Sequence, residues 1–354
     1  MTCVFDLLVV GSGGGPDETN LSAYLLKTVD AKWEDGIIAL EAGSGQGALR
    51  QLLKHDSQLL DQSGTTPKEQ TYSASEIYSF VRSYLVTHAH LDHINSLVLS
   101  AGSLRGPRKK IHATKQTLQD LETIFSDRLW PNLASWKESD EDYKFLYNVL
   151  DADGKYHPIH SSISVRSFPL SHGTYEDGSY TSSAFCIRHD PSSTEFLFFG
   201  DVEPDSVAST PRTIDIWRTA APRVPETIKA VFIECSWPSG RSDDMLYGHL
   251  TPEHLVTELV VLAKEVVAYR KEKAPKVSVR PARKRQKINP IGGDELIDAL
   301  KGLRVYVMHC KDDMTHDDDT LMRHLITKQV KELVKARKLG AIIECAEPGM
   351  RISI

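Results

Sequence analysis

The stretch that most constrains this chain is Ser83–Ile94, where a short apolar run leads straight into His88, His90, Asp92 and His93. Ser83 to Thr87 is rich in β-formers and bounded, which predicts a buried strand. Beyond Asp92 the apolar residues fall at Ile94, Leu97, Val98 and Ala101, an i, i+3, i+4, i+7 stripe that predicts a helix. The polar cluster therefore lies on the turn between a strand end and a helix start, where α/β folds gather their chemistry. Three imidazoles and a carboxylate suit zinc or a similar divalent ion. A solvated loop would rarely concentrate such ligands by chance, so metal-dependent chemistry is expected here.

Further strands deliver further ligands. Ile163 to Leu170 reads as a strand ending at His172 and Gly173. Ser183 to His189 and Glu195 to Phe199 read as a hairpin whose second strand ends at Gly200 and Asp201. A Phe-Leu-Phe-Phe run that delivers an aspartate directly after glycine is hard to explain as packing. Ala230 to Ile233 is a buried strand ending at Glu234, and Leu303 to Met308 is a strand ending at His309. His249 stands just before Thr251 and Pro252, an N-cap and a first helical position, with the helix running to about Tyr269. A lone histidine at any one of these places is more often structural. The remaining histidines, His55, His112, His157, His160, His189, His254, His316 and His324, are read as structural.

At 354 residues the chain can bury a large core, and it reads as one domain over 1–354 with surface insertions near 56–75 and 126–158. The second insertion carries Trp130 and Trp136, which suit core packing or a homodimer face. A Lys/Arg/Pro-rich stretch at 271–290 reads as a mobile basic loop, and its 280–287 core as a candidate nuclear address or RNA-binding arm. A net charge of -6 provides no whole-protein field for gathering nucleic acid. Cys3, Cys186, Cys235, Cys310 and Cys345 contain no C-x-x-C pair, which argues for a reducing, cytoplasmic setting and against a cysteine-zinc site. Thr2 to Val10 is apolar but carries Asp6 and no Lys or Arg, so it reads as a strand rather than a secretory signal. No run is long enough for a membrane span. Gly11–Gly15 lacks the spacing and βαβ context of a dinucleotide turn.

His-x-His-x-Asp-His after a strand resembles the signature of the metallo-β-lactamase superfamily. The leucine of His90-Leu91-Asp92-His93, the helix after it and the early glycine turn resemble its class II cyclic-nucleotide phosphodiesterases, and the Glu234 … Gly248-His249-Leu250-Thr251 pairing resembles the phosphodiesterase and ribonuclease Z branch rather than the lactamase branch. The resemblance implies an α/β fold, the αββα sandwich of two mixed β-sheets flanked by helices. It implies two divalent metal ions, zinc by the donor chemistry. One would sit on His88, His90 and His172 and the other on Asp92, His93 and His309, with Asp201 shared. It further implies a catalytic group of His249, Glu234 and Asp92, with His249 as general acid and Glu234 orienting its imidazole.

The reaction the resemblance implies is hydrolysis of a 3′,5′-cyclic purine nucleotide, cAMP or also cGMP, to the 5′-monophosphate by a hydroxide shared between the ions. Two divalent ions, two aspartates and a hydroxide leave roughly +1, which suits a singly charged phosphodiester better than a neutral lactam. Tyr175, Tyr180 and Tyr247 lie near site residues and could stack on a base, although packing is the commoner use of tyrosine. Two other readings stand beside this one: a ribonuclease Z-like RNA-processing phosphodiesterase, and a non-catalytic scaffold of the same fold.

Overall fold

Alternation along the β-rich runs sets the architecture. In Thr194–Phe199, Phe196 and Phe198 join one apolar cluster while Leu197 and Phe199 join another, and all four are buried. Successive side chains leave opposite faces of a strand, so this one must be covered on both sides. Ile228–Glu234 repeats the pattern, with Ala230 and Phe232 facing one way and Val231 and Ile233 the other.

The computed structural model describes residues 3–61, 72–176, 178–274, 293–312, 314 and 320–354. Among them the first sheet contains β1 (Phe5–Gly11), β2 (Ala23–Thr28), β3 (Ile37–Leu40), β4 (Val81–Leu85), β5 (Lys109–Ala113), β6 (Ala134–Ser135) and β7 (Phe145–Val149). The second contains β8 (His157–His160), β9 (Ile163–Tyr175), β10 (Gly178–His189), β11 (Thr194–Phe199), β12 (Ile228–Glu234), β13 (Arg304–Met308) and β14 (Ile342–Cys345), in reverse spatial order. β15 (Arg351–Ser353) returns to the first sheet beside β1. Both sheets are mixed. The first runs parallel from β3 to β7, and the second from β11 to β14.

An aromatic-rich core lies between the sheets, where Tyr24 of the first meets Phe198 and Phe232 of the second edge-on. Helices cover the outer faces: α1 (Gln46–His55), α2 (Ala74–Ser79), α3 (Leu91–Ser100) and α4 (Lys115–Ile124) on the first. α5 (Thr213–Ala220), α6 (Pro252–Lys273) and α7 (Thr320–Ala336) cover the second. This is the expected αββα sandwich.

The structure departs from the sequence reading in four places. Residues 56–75 are not all peripheral: Leu59 and Leu60 are buried, and the Trp33 indole donates to the Leu60 carbonyl at 2.9 Å. Residues 126–158 contribute β6 and β7, and β7 extends the parallel sheet beside β5. The charged run Glu138–Lys144 just before Phe145 concealed that strand. α6 continues to Lys273, and most of the basic stretch 271–290 lies outside the described residues. Finally, His172 lies inside β9 rather than at its end, because β10 keeps pairing with β9 as far as Tyr175.

Candidate active site

The carboxyl ends of β3, β4, β11, β12 and β13 open toward one rim of the sandwich, the place where parallel strands put their loops. β4 leads into His88, His90 is the N-cap of α3, and Asp92 and His93 lie in its first turn. β11 delivers Asp201, β12 ends on Glu234, and β13 delivers His309.

Two ligand groups result. In His88, His90, His172 and Asp201, and again in Asp92, His93, Asp201 and His309, one donor atom from each residue lies within 4.8 Å of the others. Asp201 belongs to both. Its Oδ2 is 3.5 Å from His88 Nε2 and 3.5 Å from His172 Nε2, while its Oδ1 is 3.2 Å from His93 Nε2 and 3.2 Å from His309 Nε2. Asp92 Oδ2 lies 3.2 Å from His309 Nε2. All seven residues singled out from the sequence are therefore brought together.

Whether this donor set fits metal is decided by its unmet polar atoms. His88 Nε2 and Asp201 Oδ1 are buried and have no hydrogen-bond partner, a costly state for polar groups in a native core. His88 is fixed by Thr87, whose hydroxyl lies 3.0 Å from Nδ1, and His172 by its Nδ1 donating to the Gly248 carbonyl at 2.9 Å. In both rings Nε2 is left facing the cluster, the orientation expected of imidazole ligands with outer partners. Burial holds the His88 imidazole well below its usual pKa and takes His172 down to about 4, so both rings keep a lone pair near neutrality. Burial would raise the Asp201 carboxyl, but His309, His93 and His88 outweigh it and hold the group well below the carboxylate range. Imidazole nitrogens on both sides of a fully buried carboxylate, with the His88 and His172 lone pairs turned inward, are the donor set of a binuclear divalent centre.

Beside Asp201 lies a second constellation. His249 Nδ1 is 2.9 Å from Glu234 Oε1 and 3.9 Å from Asp201 Oδ2. Glu234 is fully buried and also accepts the Val202 and Leu250 amides at 2.9 and 3.3 Å. Burial works against its ionisation, yet His249 beside it pulls its pKa below the ordinary value. His249 and His309 also group with Glu234 within 4.8 Å, so the two constellations share an edge.

Sequence reasoning passed over several supporting residues. Glu41, at the end of β3, is buried with φ 60° and accepts the Thr87 amide at 3.1 Å, and its Oε2 lies 3.5 Å from His93 Nδ1. A carboxylate closing an apolar strand was its only signal. Ser236 reaches both Glu234 Oε2 at 2.7 Å and His309 Nδ1 at 3.1 Å. The early glycine turn seats His309: Ser12 accepts its amide at 2.6 Å, and a Cβ on Gly14 would stand 2.4 Å from its ring. His309 itself has φ 58°, a strained conformation for a non-glycine residue.

The family model described as cAMP phosphodiesterases class-II matches residues 8–349. The chain is 32% identical over 278 residues to a 3′,5′-cyclic-nucleotide phosphodiesterase of Schizosaccharomyces pombe, covering 75% of this chain and 77% of that one. It is 31% identical over 270 residues to a 3′,5′-cyclic-nucleotide phosphodiesterase of Aliivibrio fischeri, covering 73% and 75%. The crystal structure of unliganded yeast PDE1 has the same fold, with a TM-score of 0.78 and 22% identity over 100% of both chains. Human tRNase Z, short form, shares the architecture more distantly, with a TM-score of 0.53, 13% identity and 99% of each chain covered. With its fold, its paired ligand groups and a family match over almost its whole length, this chain belongs to the class II cyclic-nucleotide phosphodiesterases of the metallo-β-lactamase superfamily.

Proposed function

We propose that this protein hydrolyses cAMP, and cGMP as a second substrate, to the 5′-monophosphate at the rim where the two ligand groups meet. The observation that carries the reading is Asp201, whose two oxygens face two separate sets of imidazoles while the Glu234–His249 pair stands at its edge. In this reading His88, His90 and His172 would hold one ion, and Asp92, His93 and His309 the other, with Asp201 between them. Zinc suits this imidazole and carboxylate set best. Two such ions supply a hydroxide nucleophile at neutral pH and offset negative charge on the phosphoryl oxygens.

The chain's own part concerns the leaving oxygen. When a P–O bond to the incoming hydroxide forms, the P–O3′ bond breaks and O3′ needs a proton. His249 lines the cleft beside Asp201. Glu234 engages its Nδ1 at 2.9 Å, which leaves Nε2 to donate to O3′. The Val202 and Leu250 amides fix Glu234 in turn, so the acid is oriented by buried backbone rather than by solvent. His88 and His172, each pinned through Nδ1, hold their rings so that no rearrangement is required when substrate arrives. We read the chain as one catalytic unit, and its scattered free cysteines favour a reducing compartment. Among the described residues no helix is long and apolar enough to cross a membrane.

The test is a product assay on cAMP and cGMP, with bound metal measured on the same sample. We expect 5′-monophosphate as the product, and His90→Ala to lower turnover more than about 100-fold. Full activity in that variant would sink the binuclear reading. Cleavage of a precursor RNA without turnover of either cyclic nucleotide would replace it with the ribonuclease Z-like one.

A further inference from the structure

Where β9 and β10 pass the end of β11 they continue as a two-stranded ribbon. The last β10–β11 pair is Ala184 with Phe199, whereas β9 and β10 pair on to Tyr175 and Gly178. Two tyrosines stand on this ribbon with ring centroids 4.8 Å apart, Tyr175 50% exposed and Tyr180 45% exposed. Neither serves the core, so the packing expected of them from sequence is not their use. The Tyr180 ring lies 5.2 Å from that of His90 and 6.5 Å from that of His172, so it walls the cleft on the side of the first ligand group.

A second exposed aromatic, Tyr247, lines the same cleft and is 64% exposed. Its position is specified rather than loose. Its φ of 53° is unusual for an aromatic residue, and it is followed by Gly248 at φ 79°, whose carbonyl takes the His172 Nδ1 proton. A Cβ on Gly248 would stand 2.6 Å from the His172 carbonyl oxygen, so only glycine fits that approach. Tyr180 and Tyr247 line one cleft of about 420 Å³, together with Asp201 and His249. That volume falls among those that hold small ligands, roughly 300–1,000 Å³. Exposed aromatic rings beside a reaction site offer a flat group a surface to stack on.

We propose that Tyr180 and Tyr247 form the base subsite: the purine stacks on Tyr180, buttressed by Tyr175, and Tyr247 closes over its other side. A neutral base needs no counter-charge, and every purine offers a π-face, so this subsite accepts adenine and guanine alike. The proposal rests on the cyclic-nucleotide reading above and assigns its substrate-binding residues.

The test compares metal-loaded full-length protein on cAMP and on ribose 3′,5′-cyclic phosphate, which keeps the reacting ring and lacks the base. In Tyr180→Ala the KM for cAMP is expected to rise about tenfold or more, with kcat within about threefold. The ratio of kcat/KM for cAMP over the base-free substrate then falls about tenfold, and Tyr180→Phe restores it. Tyr247→Ala, on a different element, should lower the same ratio and keeps the test decisive where Tyr180→Ala disturbs the ribbon. Equal losses on both substrates in both alanine variants would overturn the proposal. So would a Tyr180→Phe ratio as low as that of Tyr180→Ala, since the hydroxyl and not the ring would then be the contact. A wild-type protein that cleaves the base-free diester and no cyclic nucleotide would instead overturn the substrate reading itself, and this subsite with it.

Discussion

Glu234 joins three parts of the site with one carboxylate. It takes the Val202 amide next to Asp201, the Leu250 amide next to His249, and the His249 ring itself. Removing His249 therefore separates acid chemistry from ligand geometry. His249→Ala is expected to lower turnover on cAMP by about 10²- to 10⁴-fold while metal content, measured by elemental analysis, stays unchanged. Loss of metal in that variant would make His249 a ligand and send the search for the acid elsewhere. Sequence reasoning reached Glu234 and His249 because each stands where a regular element starts or stops. It passed over Glu41 and Ser236, because their value lies in the atoms opposite them, which are far away in the chain.

At the scale of elements, α5 and α6 meet over a buried polar contact. The Trp217 indole donates to Glu258 Oε2 at 2.8 Å, and the Asp205 amide donates to Oε1 at 3.2 Å. Burial, with Asp205 adding to it, pushes the Glu258 carboxyl up to about 7 from an ordinary value of 4.5. The folded chain thus keeps this proton across a range in which the unfolded chain releases it. The contribution of this one group to stability is intact below about pH 4.5, declines as pH rises toward 7, and stays reduced above that. Glu258→Gln preserves an acceptor for the indole without the charge. Its stability relative to wild type, from urea unfolding at pH 5 and pH 8, should be higher at pH 8 by about 2 kcal/mol. An identical difference at both pH values would rule this out. Element boundaries were legible where apolar period and cap agreed, as at β4 and α3. They were misread where pairing prolongs a strand, because the reach of β9 to Tyr175 depends on β10 lying beside it.

Across the whole molecule, the two ligand groups tie the sheets together. His88, His90, Asp92 and His93 follow β4 of the first sheet, and His172, Asp201 and His309 come from β9, β11 and β13 of the second. Ions bound there stabilise the native chain alone, and each contributes roughly 2.7 kcal/mol at a hundredfold excess over its dissociation constant. Chelation should therefore lower the unfolding temperature by several degrees, and added zinc should restore it. An unchanged temperature after verified metal removal would mean the groups do not hold the sheets through metal. By itself the sequence determined the ligand types and the strand-end placement of most of them, because a buried strand and a cluster of imidazoles each have a local signature; the sandwich followed from the resemblance those residues carry. Only the tertiary structure decided that Asp201 faces both groups, that Gly14 and Ser12 seat His309, and that Tyr180 and Tyr247 line one cleft. These are relations between residues up to about 300 positions apart, and no local pattern encodes which strand ends will share a rim. His88, His90, Asp92 and His93 stand within six positions; the other half of their chemistry arrives only when the second sheet closes over the first.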